Sequence, residues 1–328
     1  MPPSIPSIAR EYFAGASGGC FLDLSARAKL RLRGADRLRF LNGQVTNDVR
    51  RASAEASLYA CVLTAKGKLC ADGFILAGPD FLQFDAEPEL REALTARLER
   101  YLIADDVEIE DVTDSLGLLH LPGAPLAEWG VRGAERGEVQ LAESHRFGKA
   151  GVDIFCAPAG VPALKQMLVA ERGLRELAAA EIEAWRIAAG IPRWGAELDE
   201  NTLLPEAGLE ARAVDYNKGC YVGQEVISRL KSVGHVNRRL HRLRGAGPSL
   251  PAAGALLYPW DNPADSAPKE IGRLTSVAPV PGSEECQTTC WCALGYVRRG
   301  HGAPGARLRV GAGDGAESQA TVEPSDDV

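Results

Sequence analysis

Apolar and polar positions change period several times along this chain. From Cys20, "CFLDLSARAKLRLRGAD" alternates apolar and charged residues, with Leu30 and Leu32 on one side, the period-two signature of strands. Gly34, Ala35 and Asp36 then open a short helix through Leu38, Phe40 and Leu41. "LYACVLTAKGKLCADGFILAG" reads as a hairpin, two apolar strands turning at Ala65 to Lys68. "FLQFDA" is a further strand, and "PELREALTARLERYL" a helix with Leu90, Leu94, Leu98 and Leu102 on one face. "DVEIEDVT" returns as a strand. The pattern restarts at Leu116, with "LGLLHLPG" and "GVDIFCAP" as strands and "VPALKQMLVAERG" and "LRELAAAEIEAWRIAAG" as helices.

Past His235 the helical period vanishes. "RLHRLRG", "ALLYPW", "EIGRLTSVAPV", "CALGYVRR", "ARLRV" and "QATVEP" are short strands between Gly/Pro-rich turns, the spacing of a small all-β barrel or sandwich. Long regular βαβ units are absent from the first two-thirds. The expected fold class is therefore α+β, with antiparallel sheets each carrying helices on one face. Three regions are expected: residues 1–112, residues 113–237, whose boundary with the first is discontinuous, and a β-barrel over 238–328.

A length of 328 residues suits two or three domains, and ordinary apolar and charged fractions give no difficulty in burying a core. A formal charge of −7 argues against generic polyanion binding. The N-terminus has no basic stretch followed by an apolar run, and no segment offers the ~18 apolar residues of a membrane helix. Eight cysteines scattered through a large chain suit reduced thiols better than a disulfide framework. A cytoplasmic protein, with no membrane contact and no direct nucleic-acid contact, is the expectation.

One cysteine stands apart. In "NKGCYVGQE", Cys220 lies between Gly219 and a tyrosine, with Lys218 before it and a helix expected from Gly223 onward. The free N–H groups of a helix start and a nearby ammonium both favour thiolate, the usual route to a reactive cysteine. Gly219 and Gly223 permit unusual backbone angles and close approach of a ligand. The competing reading is a cysteine buried in a glycine-rich turn, since free cysteine is among the most buried residue types.

"VDYNKGCYVGQE" closely resembles the K-G-C-Y-x-G-Q-E signature of the YgfZ family, folate-binding proteins of iron–sulfur cluster assembly and repair. "LRGADRLRFLNGQVTNDV", "TAKGKLCADG", "WRIAAGIPRWGAELDENTLLPEA" and "ALGYVRR" extend the likeness, in order, over most of the chain. The resemblance implies a three-domain ring around a tetrahydrofolate site, shared with the aminomethyltransferase of the glycine cleavage system. It further implies iron–sulfur client enzymes or assembly factors as partners, including enzymes that modify tRNA. Cys220, Lys218 and Tyr221 would carry the thiol chemistry, with Tyr221 packing or hydrogen-bonding beside the thiol. Gln224 and Glu225 would shape the helix start or bind a partner.

Trp185, in register with Ile182 and Ala189, is by residue type a core tryptophan; the resemblance associates it with stacking on the pterin. Asp72, Gln44 and Asn47 are further candidates for the folate pocket. For Asp72 the alternative is an exposed carboxylate flanking a turn, and for the amides a helix cap. Two positions depart from the aminomethyltransferase. Its pterin-holding glutamate corresponds to Ala188 here, and its paired hairpin aspartates to Ala71 and Asp72, so that enzyme is the second reading. A folate-sensing scaffold without turnover is the third. A second family tryptophan falls at Arg27. The run from Arg229 to Arg244 holds Lys231, Arg238, Arg239 and Arg242 without an acid, by default a solvated basic face and otherwise a site for the glutamate tail of folate, a phosphate or an acidic partner surface. Cys286, Cys290 and Cys292 match no metal-ligand spacing, and no metal is expected.

Overall fold

The computed structural model describes residues 19–123, 139–261, 269–280, 289–311 and 318–324. From Cys20 the order is β1 (Cys20–Asp23), β2 (Ala28–Arg33), α1 (Arg37–Gln44), β3 (Leu58–Leu63), β4 (Leu69–Ala77), β5 (Leu82–Ala86), α2 (Arg91–Glu99) and β6 (Glu108–Asp111). Next come β7 (Gly117–Pro122), β8 (Val139–Ser144), β9 (Gly151–Cys156), α3 (Val161–Ala170) and β10 (Arg175–Glu176). Helices α4 (Ala179–Ala189), α5 (Glu210–Ala213) and α6 (Gln224–Ser232) lead to six further strands. These are β11 (Arg238–Gly247), β12 (Leu256–Pro259), β13 (Gly272–Pro279), β14 (Thr289–Arg298), β15 (Arg307–Val310) and β16 (Ser318–Val322).

The contacts divide the chain into two units. One holds the described residues of 16–178 and 209–229, the other those of 179–208 and 230–328. The first contains two five-stranded sheets, ordered β3-β4-β5-β2-β6 and β10-β1-β7-β9-β8, antiparallel apart from the short edge strand β10 beside β1. The expected hairpin is present: β3 and β4 pair from Leu58↔Ile75 to Leu63↔Leu69, with one irregularity near the turn. Leu90, Leu94 and Leu98 are buried, as the spacing predicts.

Two features of this unit differ from the sequence pattern. The helix expected from Leu174 starts only at Ala179, because Arg175 and Glu176 pair with β1 and the Leu177 N–H donates to Phe21 O. Lys29, on the charged side of β2, is fully buried, with Nζ donating to Ser25 O and Arg27 O, both at 2.8 Å. The charged face of this strand is thus buried at Lys29 and only partly so at Arg31 and Arg33, and the buried ammonium persists because carbonyls accept its protons.

In the second unit the six predicted strands close into a barrel, ordered β11-β14-β13-β12-β15-β16, with β16 returning to β11. Its interior is a cluster that includes Leu243, Leu257, Leu274, Trp291, Val297 and Leu308. Closure removes the unpaired strand edges that would invite association. Ala184, Ile187 and Ala188 of α4 pack against Ala278, Val280, Cys292 and Leu294 outside the barrel. Arg186 fixes the same joint. It donates to Glu197 Oε2 (2.7 Å) and Ser276 Oγ (2.8 Å), and Ser276 Oγ donates in turn to Glu197 Oε1 (2.5 Å).

Candidate functional site

The segment around Cys220 is anchored on both sides. Lys218 is buried, and its Nζ donates to the carbonyls of Asn42 (2.7 Å), Val45 (2.7 Å) and Asn47 (2.8 Å) at the C-terminal end of α1. Helix ends leave carbonyls without intrahelical partners and carry partial negative charge, so a cation there satisfies both needs. All three ammonium protons are used. Burial brings the Lys218 pKa down to about 8, while the three acceptors hold the charged form in place. The ammonium is therefore aimed at α1, where it joins the signature to a chain segment far away in sequence.

Beyond the cysteine, Tyr221 is buried and its hydroxyl is pushed up to about 12 by burial. The Val222 N–H donates to Gly43 O at 3.1 Å. Gly223 has φ +88°, and a Cβ there would lie 2.6 Å from Thr64 O at the end of β3. This turn stands between Cys220 and the first residue of α6, Gln224. Ile227 buries the helix against the unit, and Glu225 accepts from Arg229 Nη2 (2.6 Å) one turn on, in an exposed ion pair. Between these anchors Gly219 and Cys220 are exposed, and nothing lies within 4 Å of where a Gly219 Cβ would stand. The buried-cysteine reading is thereby excluded: the thiol faces solvent from a firmly held loop.

A contrast between the two glycines follows. Gly223→Ala forces a Cβ into a left-handed backbone position and onto a carbonyl, and is expected to cost about 1–3 kcal/mol. Gly219→Ala is expected to stay within about 0.5 kcal/mol. Urea denaturation of both variants checks this; equal costs would refute the packing described.

Asp72 lies on β4 opposite Cys61 of β3 and is 7% exposed, against the expectation of a solvated carboxylate at a turn. Tyr59 Oη donates to Asp72 Oδ2 at 2.8 Å, and Asp72 Oδ1 is buried without a hydrogen-bond partner among the described residues. Burial pushes the carboxyl up to about 6, with the positive charges of Arg27 and Arg212 acting in the other direction. Arg27 forms ion pairs with Asp85 and Glu87. A vacant, buried acceptor is suited to an N–H donor brought by a ligand.

Gln44 and Asn47 serve the framework. Gln44 Oε1 accepts from Arg97 Nη1 (3.0 Å), and Asn47 Nδ2 donates to Tyr59 O (2.9 Å) and Arg212 O (3.3 Å). These bonds join the signature to Asp72: Lys218 Nζ reaches Asn47 O, the Asn47 amide reaches Tyr59 O, and Tyr59 Oη reaches Asp72. Thr46 and Tyr59 were not singled out by the sequence. Thr46 Oγ1 donates to Ala213 O at 2.5 Å and accepts from the Cys61 N–H at 2.9 Å. The hairpin register was the available signal for Tyr59, since it sets this residue diagonally across from Asp72.

Trp185 belongs to α4 in the other unit, where it is 2% exposed. Cys290 and Cys292 alternate along β14 and pack toward α4; Cys286 lies outside the described residues. Among the described residues no group of three or more His, Cys, Asp or Glu side chains is placed to hold a metal ion, and no helix is long and apolar enough to cross a membrane.

No family model matches the chain. It is 27% identical to an aminomethyltransferase of Rubrobacter xylanophilus, over 71% of this chain and 67% of that protein. It is 26% identical to the tRNA-modifying protein YgfZ of Sodalis glossinidius, over 71% and 74%. To the mitochondrial iron–sulfur cluster assembly factor IBA57 homolog of Dictyostelium discoideum it is 25% identical, over 67% of this chain and 61% of that one. The glycine cleavage system aminomethyltransferase T of Bartonella henselae shares the fold, with a TM-score of 0.80 at 20% identity, over 99% of this chain and 90% of that one. The chain is thus similar in sequence to aminomethyltransferases and to YgfZ proteins, and it shares the aminomethyltransferase fold. The shared fold accounts for the two mainly antiparallel sheets and the closed C-terminal barrel.

Proposed function

We propose that this chain binds a reduced folate and assists assembly or repair of iron–sulfur clusters in client enzymes, with Cys220 as its functional thiol. The observation that carries this reading is the placement of Cys220, exposed on a loop whose two neighbouring anchors, Lys218 and Tyr221, are both buried. Structural cysteines tend to be hidden, whereas a thiol that reacts with a partner must be reachable. The similarity to YgfZ and to an iron–sulfur cluster assembly factor supports the cellular role.

For the folate, the residues fit the group. Asp72 Oδ1 is a buried acceptor without a partner among the described residues, and a pterin or reduced-folate N–H is a donor of the right chemistry. Bound tetrahydrofolate supplies a carrier for a one-carbon unit. Asp72 would accept a hydrogen bond from it, and Tyr59 holds the carboxylate in place through the other oxygen. The aminomethyltransferase reading is weaker because Ala188 is fully buried and its methyl group offers no carboxylate to a pterin.

Titration calorimetry with tetrahydrofolate tests the proposal. Asp72→Asn is expected to weaken binding about tenfold, the effect of losing a charge-assisted hydrogen bond; unchanged affinity would remove Asp72 from the site. With a carboxyl pKa of about 6, the accepting form dominates above that pH. Wild-type affinity should therefore fall about tenfold from pH 7 to pH 5, and Asp72→Asn should lose this dependence. Ammonia release from an aminomethyl-lipoyl protein in the presence of tetrahydrofolate would favour the transferase instead.

A further inference from the structure

The barrel carries a concentration of cations that neither the folate nor the thiol reading uses. Strand register sets Arg238 directly opposite Arg298, and Arg273 directly opposite Tyr296. Residues two apart on a strand share a face, so these three arginines surround Tyr296 on the outer side of the sheet. Arg238 lies over the Tyr296 ring at 4.5 Å and pairs with Glu206 at 3.0 Å. Arg273 Nη2 lies 3.9 Å from the Glu270 carboxylate. Arg298 is exposed, with no side-chain hydrogen bond or ion pair among the described residues. Exposed Arg299 and His301 follow it in a turn closed by the His301 N–H on Arg298 O, at 3.1 Å.

Like charges directly opposite one another weaken a strand pair. Among the described residues Arg298 makes no side-chain bond that offsets that cost, and the chain as a whole has a formal charge of −7. We infer that the outer barrel face around Arg238, Arg273 and Arg298 docks an acidic protein surface through Asp and Glu carboxylates. Guanidinium forks match carboxylates bidentately, and arginine is enriched among the residues that dominate protein interfaces. A nucleic acid fits less well, because the Tyr296 ring is buried beneath Arg238 and offers no face on which a base could stack. This inference stands apart from the folate and Cys220 readings, and either can fail alone.

The test is fluorescence anisotropy with labelled hexaglutamate, beside a uridine-rich RNA of equal charge, at low and at near-physiological salt. Wild type is expected to bind hexaglutamate more tightly than the RNA and to lose affinity as salt rises. The double variant Arg273→Glu/Arg298→Glu should bind hexaglutamate at least about tenfold more weakly, as expected for lost charge-assisted contacts. Arg39→Glu, an exposed site that is not part of this face, should change it less than about twofold, as expected of a single screened surface charge. Arg298→Ala, which removes a charge without adding one, gives the same direction should the double reversal disturb the barrel. Absence of hexaglutamate binding, equal losses at Arg39 and at the barrel face, or tighter binding of the RNA would each overturn the inference.

Discussion

On the proposed function, in cells lacking their own YgfZ protein the wild-type chain is expected to restore an iron–sulfur client enzyme, and Cys220→Ser to restore it no better than an empty vector. The substitution removes one sulfur from an exposed position and adds no bulk, so its effect on stability should lie within about 0.5 kcal/mol. Unaltered folding with lost rescue would therefore assign the loss to the thiol. Lys218→Met is the necessary contrast. It also abolishes rescue, but by leaving three carbonyls at the end of α1 without their donor, at a cost of about 2–4 kcal/mol for several buried polar groups. Client activity and unfolding midpoint measured together separate the two causes. Full rescue by Cys220→Ser would reduce Cys220 to an exposed bystander and leave a folate-binding scaffold as the reading.

The division between what sequence conveys and what it withholds follows from the range of each interaction. Strands such as Leu58–Leu63 and Leu69–Ala77, their turn, and the six barrel strands are local periodicities bounded by Gly and Pro, and all are legible. So is Cys220, because its neighbours in sequence mark it. The bonds of Lys218 are not: its acceptors are main-chain carbonyls of residues 42, 45 and 47, and no side-chain pattern encodes them. The burial of Asp72 depends likewise on Tyr59 across the hairpin and on the charges of Arg27 and Arg212. Lys29 shows the same limit, since alternation alone would place it in water.

The largest expected loss of stability also lies where sequence is silent. Arg146, five hundredths exposed, donates through Nε and Nη2 to Asp153 (2.8 and 2.7 Å) and through Nη1 to Asp85 (3.2 Å), with its plane 4.4 Å from the Phe74 ring. His120 Nδ1 lies 2.8 Å from the same Asp153, and its Nε2 is buried without a partner among the described residues. Burial opposes the charge on Asp153, but Arg146 and His120 outweigh it and hold the carboxyl well below the usual range. Asp153→Asn strands the guanidinium with half its compensation, and a broken buried pair costs about 3–5 kcal/mol. Urea unfolding at pH 7 checks this, and a loss under about 1 kcal/mol would mean that the network relaxes around the missing charge. The pH dependence has two steps of the same sign. Burial lowers the His120 pKa, so only the unfolded chain takes up this proton as the pH falls below about 6.5, and stability drops there first. Asp85 and Asp153 are both depressed in the fold; their contribution is present above about pH 4 and is lost as the pH falls toward their folded values. His120→Asn should remove the first step and leave the second, which distinguishes this cluster from a general acid effect spread over surface carboxylates.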